Sequence, residues 1–180
     1  MRLAVIFIPV VLHLAGGLAG TLAQVDLATY RDPNERFTCT MPGDWRVQEF
    51  TGSSSSSVAF FGPPTGINPY SAYIAVRYYG NDSEFTSQQA YVAARIGFAI
   101  SSTPVRQILW KGRLSLEFTA VHKGLRMHHS TKEPENVREH TYAIPHRNGF
   151  FAVVHSAPDS HLRTTDNVFR ALLDSLTIQP

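Results

Sequence analysis

The sequence predicts an α+β fold in three layers, and three observations carry that prediction. Ala72–Tyr79 is apolar or aromatic on both faces with Arg77 its only charge, the pattern of a strand deep in a sheet covered on both sides. Thr86-Ser87-Gln88-Gln89 has the spacing of a helix-opening capping box in mid-chain. Val168, Phe169, Leu172, Leu173 and Leu176 repeat with the 3.6-residue period of a C-terminal amphipathic helix.

The elements follow in order. Asp32-Pro33-Asn34-Glu35 is turn chemistry, with Pro pre-setting φ at the second position. Phe37-Thr38-Cys39-Thr40-Met41 alternates strictly, which puts Phe37, Cys39 and Met41 on one face. Pro42-Gly43-Asp44 breaks that strand, and Trp45 with Val47 starts the next. The run Ser53–Ser57 is expected as a flexible surface loop before a short strand at Val58–Phe61, which Gly62-Pro63-Pro64 ends. After Ala72–Tyr79 comes the helix, with Thr86 at its N-cap and Val92, Ile96 and Ala99 on its inner side. Strand-like runs then occupy Val105–Trp110, Leu114–Val121, Leu125–Thr131 and Val137–Ile144. Asn148-Gly149 is the strongest hairpin signal, because both central residues of a type I′ turn need φ > 0. Phe150–Ser156 returns from it, and Ala157-Pro158-Asp159-Ser160 resembles the start of the last helix.

Ahead of all this, Arg2 precedes an apolar stretch from Leu3 to Leu14 and the small-residue run 15–20. That is the layout of a secretory signal peptide, with Thr21-Leu22-Ala23 placing the cut between Ala23 and Gln24. No Cys follows the cut, so the lipobox of a lipoprotein is missing. The expectation is a signal peptide at 1–23, a single domain at 24–180 and a secreted or periplasmic location, with membrane attachment only if the leader stays uncleaved.

Composition narrows the function. Lys+Arg is 16 against 14 Asp+Glu, so no charge imbalance draws the chain to nucleic acid. One Cys makes no internal disulfide, and the domain must hold by its core. The alternation sets Cys39 among apolar neighbours, as a packing residue rather than a nucleophile. Gly-x-Ser-x-Gly, phosphate-binding glycine loops and His-Glu-x-x-His do not occur. No catalytic residue is expected.

The histidines stand out: there are eight. A turn at Glu133–Asn136 sets His129 opposite His140, and the Asn148-Gly149 turn sets Tyr142 opposite His155. On that register His129, His140 and His155 project from one face of three adjacent strands and would suit Zn or Cu. Tyr70, Tyr73, Tyr78 and Tyr79 gather near the Gly/Pro-rich loop 62–69 and are expected to meet a protein partner. Asn81-Asp82-Ser83 is a glycosylation sequon if the host is eukaryotic.

Four segments, YRDPNERFTCTMPGDW, VAFFGP, SAYIAVRYY before a helix and GFFAVVHSAPDS before the last helix, together resemble the PsbP-like superfamily over residues 26–178. The resemblance implies a three-layer α/β/α sandwich with a central antiparallel sheet, one mid-chain helix and one C-terminal helix. It also implies functions of binding and assembly, and it supplies no catalytic motif. A photosystem role would need plastid targeting, and the highly apolar leader does not resemble a transit peptide. The sequence therefore points to an exported non-catalytic module that recognises a protein partner. Its alternative is an extracytoplasmic metal- or small-ligand-binding protein using the histidine face.

Overall fold

The computed structural model describes residues 26–52, 54–62, 72–128 and 131–180. The leader with its cut site, Ser53, most of the Gly/Pro-rich loop including Tyr70, and His129 lie outside the described residues.

The chain builds the expected α+β sandwich. An eight-stranded antiparallel sheet holds β3 (Arg46–Thr51), β4 (Ser55–Phe61), β5 (Tyr73–Gly80), β10 (Gly149–Pro158), β9 (Thr131–His146) and β8 (Arg113–His128) in that spatial order. The outer edge of β8 pairs with the short β6 (Ser101–Ser102) and with β7 (Arg106–Trp110). A second sheet of three strands, β1 (Leu27–Arg31), β2 (Phe37–Pro42) and β11 (Thr177–Ile178), joins α2 (Leu162–Ser175) on one face of the large sheet. Helix α1 (Gln88–Gly97) covers the other face. No helix among the described residues is long and apolar enough to cross a membrane.

Two-residue alternation along β10 divides the core. Phe151 and Val153 face α2 and β2, where they meet Phe37, Cys39, Met41, Phe169 and Leu172. Phe150, Ala152 and Val154 face α1, where they meet Tyr79, Tyr91, Val92 and Phe118. β5 is buried on both sides because it lies between β4 and β10, under both layers. Helix α2 buries Phe169, Leu172 and Leu173, as their spacing requires. Its last carbonyls, on Asp174 and Leu176, accept hydrogen bonds from Lys111 Nζ at 2.7 and 2.8 Å.

Several expectations need correction. The serine run is not a loop where it is described: Ser55–Ser57 belong to β4 and are paired on both sides, with β3 and with β5. Ladder hydrogen bonds on both edges outweigh the weak strand preference of serine. The helix is capped by Ser87, whose hydroxyl accepts from the Ala90 N–H at 3.1 Å, and not by Thr86. Leu114–Val121 and Leu125–Thr131 are not separate strands; β8 runs unbroken from Arg113 through His128.

The histidine register also differs. β8 and β9 pair continuously to His128↔Thr131, so Glu133–Asn136 lie within a paired strand and not at a turn. His140 therefore lies opposite Thr119, not His129. Pro134 is tolerated inside β9 because β10 pairs with that strand only as far as Val137, which leaves an open edge for a residue lacking an N–H. At the next hairpin Gly149 pairs with His146, so His155 faces His140 and Tyr142 faces Val153.

Candidate functional site

The site is built on adjacent strands where β8, β9 and β10 pass beneath the N-terminal half of α2. Thr119, His140 and His155 are successive cross-strand neighbours, so their side chains share the α2 face. Glu117 and Tyr142 form the parallel row two residues along. Phe169 of α2 lies over both imidazoles, stacked on His155 at 5.1 Å between ring centres and tilted to His140 at 5.4 Å. The helix thus delivers one apolar ring and, a turn earlier, the Thr165 hydroxyl.

Hydrogen bonds set the tautomer of each ring. Thr165 Oγ1 directs its single proton to the His161 carbonyl at 3.1 Å, so it accepts from His155 Nε2 at 2.8 Å. His155 Nδ1 is then a bare acceptor, buried and without a hydrogen-bond partner. Burial pushes the His155 pKa down to about 4, with Asp166 opposing the shift, so the ring is neutral at pH 7. His140 Nε2 lies 2.9 Å from Glu117 Oε1, and a carboxylate only accepts, so that nitrogen carries the proton. In the neutral ring, Nδ1 is left as the acceptor.

Glu117 is held by three donors. It accepts from His140 and from the Tyr142 hydroxyl, each at 2.9 Å, and from Arg106 Nη2 at 2.6 Å. Burial raises its carboxyl, but these three donors outweigh burial and hold it below the ordinary carboxylate value. Burial and the bond to Glu117 push the Tyr142 phenol up to about 12. An open cavity of about 350 Å³ reaches both histidines, with Arg163 and Asp166 of α2 on its far wall. Arg163 is exposed, while Asp166 is held by Arg170 at 2.9 Å.

The other residues singled out from the sequence do not converge. Tyr73 and Tyr79 project to the α1 side of β5, and Tyr78 projects to the α2 side. Tyr79 stacks on Phe150 at 5.0 Å within the core, Tyr78 donates to the Asn148 carbonyl at 2.8 Å, and Tyr73 donates to Glu139 at 3.3 Å. Cys39 is buried between β2 and α2, and burial pushes its thiol up to about 12, far from a nucleophile's range. Among the described residues, no three His, Cys, Asp or Glu side chains are grouped to hold a metal ion. Sequence reading missed Glu117 and Thr165; as the one charge within Leu114–Val121 Glu117 gave a usable signal, whereas Thr165, flanked by Thr164 and Asp166, gave none.

A second polar cluster lies on the opposite face. Glu139 is buried there and pairs with Arg95 of α1, while His122 Nε2 lies 3.4 Å from the same carboxylate. This cluster ties α1 to the sheet.

No known family profile and no curated protein matches the sequence. Among solved structures, the fold is similar to a protein from Bacteroides thetaiotaomicron, with TM-score 0.50 and 10% identity over 84% of this chain. This chain spans 48% of that protein's length. It is also similar to the cyanobacterial PsbP, CyanoP, from Synechocystis, with TM-score 0.49, 13% identity, and coverage of 91% of this chain and 98% of that one. LpqN of Mycobacterium tuberculosis, described as involved in cell envelope biogenesis, is similar with TM-score 0.48, 12% identity and coverage of 86% and 91%. At these identities the likeness is one of fold, and the fold is the sandwich that the sequence resemblance implies.

Proposed function

We propose that the chain is an exported, non-catalytic module that takes an extended apolar segment of a protein partner along the β7 edge of its large sheet. One observation carries this reading. Five large apolar side chains, Phe98, Ile100, Val105, Leu109 and Leu114, are exposed along the stretch that forms this edge. Leu109 and Leu114 sit directly opposite each other, 75% and 60% exposed. Among the described residues, the outer edge of β7 has no neighbouring strand, so its backbone groups are available to a partner strand. The leader supports export, and the buried Cys39, whose thiol is pushed up to about 12, supports a role without thiol chemistry.

The test has two parts. N-terminal sequencing of the protein from its own cells should begin at or near Gln24. A photo-crosslinking residue at Leu109 or Leu114 should give an adduct of one size that is missing from the same probe at Gln48, exposed on β3 at the opposite end of the large sheet. Recovery of Met1 from a cytoplasmic pool, or equal adducts at all three positions, would overturn the reading.

A second reading has its own observation in the bare Nδ1 of His155 beside His140. A neutral imidazole whose other nitrogen is held by a hydrogen bond is the usual form of a metal ligand, so this pair supports Zn or Cu binding.

A further inference from the structure

The face of the large sheet under α1 carries a second cavity, unrelated to the histidines and to the β7 edge. Helix α1 packs on β8 and β9, and among the described residues no helix covers β3 and β4. On this open part, Phe50, Ser57, Arg77 and Ala152 are successive cross-strand neighbours, and Ser55 faces Tyr79 in the next row. Phe50, Ser55, Ser57, Arg77 and Tyr79 border a cavity of about 340 Å³, while Ala152 is buried.

Arg77 is unusual in this setting. It is part-buried in the middle of an interior strand, yet it makes no ion pair with any described carboxylate. Its ionisable neighbours include the phenols of Tyr91, Tyr73 and Tyr79, and it hydrogen-bonds the last of these. The Tyr91 hydroxyl is itself buried without a hydrogen-bond partner. The other arginine on this face, Arg95, already has Glu139. A desolvated guanidinium without a counter-charge is costly, and a planar carboxylate is the group that matches its fork of donors.

We infer that Arg77, flanked by the Ser55 and Ser57 hydroxyls, binds the carboxylate of a small ligand in this cavity. The lining also fixes what accompanies that carboxylate. Glu84 is exposed on the same cavity and repels a dianion, while it attracts an ammonium group. A free α-amino carboxylate therefore fits better than acetate, and acetate better than phosphate. The hydroxyls come from the serine run, whose alternate members share a face only because the run is a strand.

The test is an NMR titration of the whole mature protein with glycine, sodium acetate and inorganic phosphate at constant ionic strength, against sodium chloride. The Arg77 Nε–H and the Ser57 amide should shift saturably, with glycine binding tightest and phosphate weakest. Arg77→Met should abolish saturation, and Glu84→Gln should narrow the gap between glycine and phosphate. Ser57→Ala keeps the charge and the fold, and it should weaken glycine binding by about tenfold, the usual weight of a hydrogen bond to a charged group. Shifts that match sodium chloride for all three probes would overturn the inference. So would saturation that survives in Arg77→Met, or unchanged affinity in Ser57→Ala. Crosslinking at Leu109 does not depend on this cavity, so the two ideas fail separately.

Discussion

His155 donates its Nε2 proton to Thr165 Oγ1 at 2.8 Å inside the core, and that one bond leaves Nδ1 as a buried lone pair. The ring is tuned by burial to stay neutral, and the stability of the domain is linked to that neutrality.

The folded pKa of His155, about 4, lies below the ordinary value of 6.5. Between those values the unfolded chain takes a proton that the folded chain refuses. Stability present above pH 6.5 is therefore lost as pH falls from 6.5 to 4, at about 1.4 kcal/mol per pH unit, on the order of 3 kcal/mol in all. Urea melts of wild type and His155→Gln between pH 7 and pH 4.5 measure it. The wild type should lose stability more steeply; parallel curves would mean that His155 does not titrate this way.

Metal binding is tested by calorimetry with Zn²⁺ or Cu²⁺ on tag-free protein. One ion per chain is expected, lost in His140→Ala or His155→Ala and kept in His161→Ala, which stands at the N-cap of α2. Absence of heat in wild type, or equal binding in all variants, leaves the protein-binding reading alone.

Gly149 has φ +144, and a methyl group there would overlap the Tyr79 carbonyl oxygen of the neighbouring strand. Relief would require β10 and β5 to separate at the centre of the sheet. Gly149→Ala should cost roughly 3 kcal/mol or more, in the range of severe backbone strain. A thermal melt within about 2 °C of wild type would contradict this, since even 1 kcal/mol moves a domain of this size by roughly that amount or more.

Trp45 and Phe151 are buried in the α2-side core, at 6% and 0% exposure. Truncating either to Ala should destabilise by roughly 3–5 kcal/mol. Trp45 also packs on Gly62 so closely that a Cβ there would come within 2.8 Å of the indole. Gly62→Ala should therefore weaken the same contact, and denaturant midpoints for the three variants rank the effects.

Legibility from sequence followed burial. The Phe37–Met41 alternation, the two-sided β5 and the α2 stripe were readable because each presents an uninterrupted apolar pattern to one or two covering layers. β1 was not, since four of its five residues are exposed and nothing in Leu27–Arg31 alternates. β11 is two residues long and is defined only by its partner β2. The site was half legible. His140 and His155 do face each other, but the register that brought in His129 relied on Pro134 as a turn signal. Between the last paired residues, His128 and Thr131, the sequence carries no Gly, Pro, Asn or Asp that would have favoured a different register.

β2 takes β1 on one edge and β11 on the other, and the Thr40 N–H donates to Ser175 Oγ across a sequence separation of 135 residues. The order of assembly follows from this. A chain emerging N-terminus first carries β1 and β2 as an open hairpin, with Phe37, Cys39 and Met41 uncovered until α2 and β11 arrive. Closures over such separations are slow, and apolar strands left waiting are prone to aggregate. The meander of β8, β9 and β10, whose pairings are between strands consecutive in sequence, can form meanwhile and offer the surface on which the late elements land. Protection of the β2 backbone from hydrogen exchange should therefore appear after that of β9 and β10 during refolding.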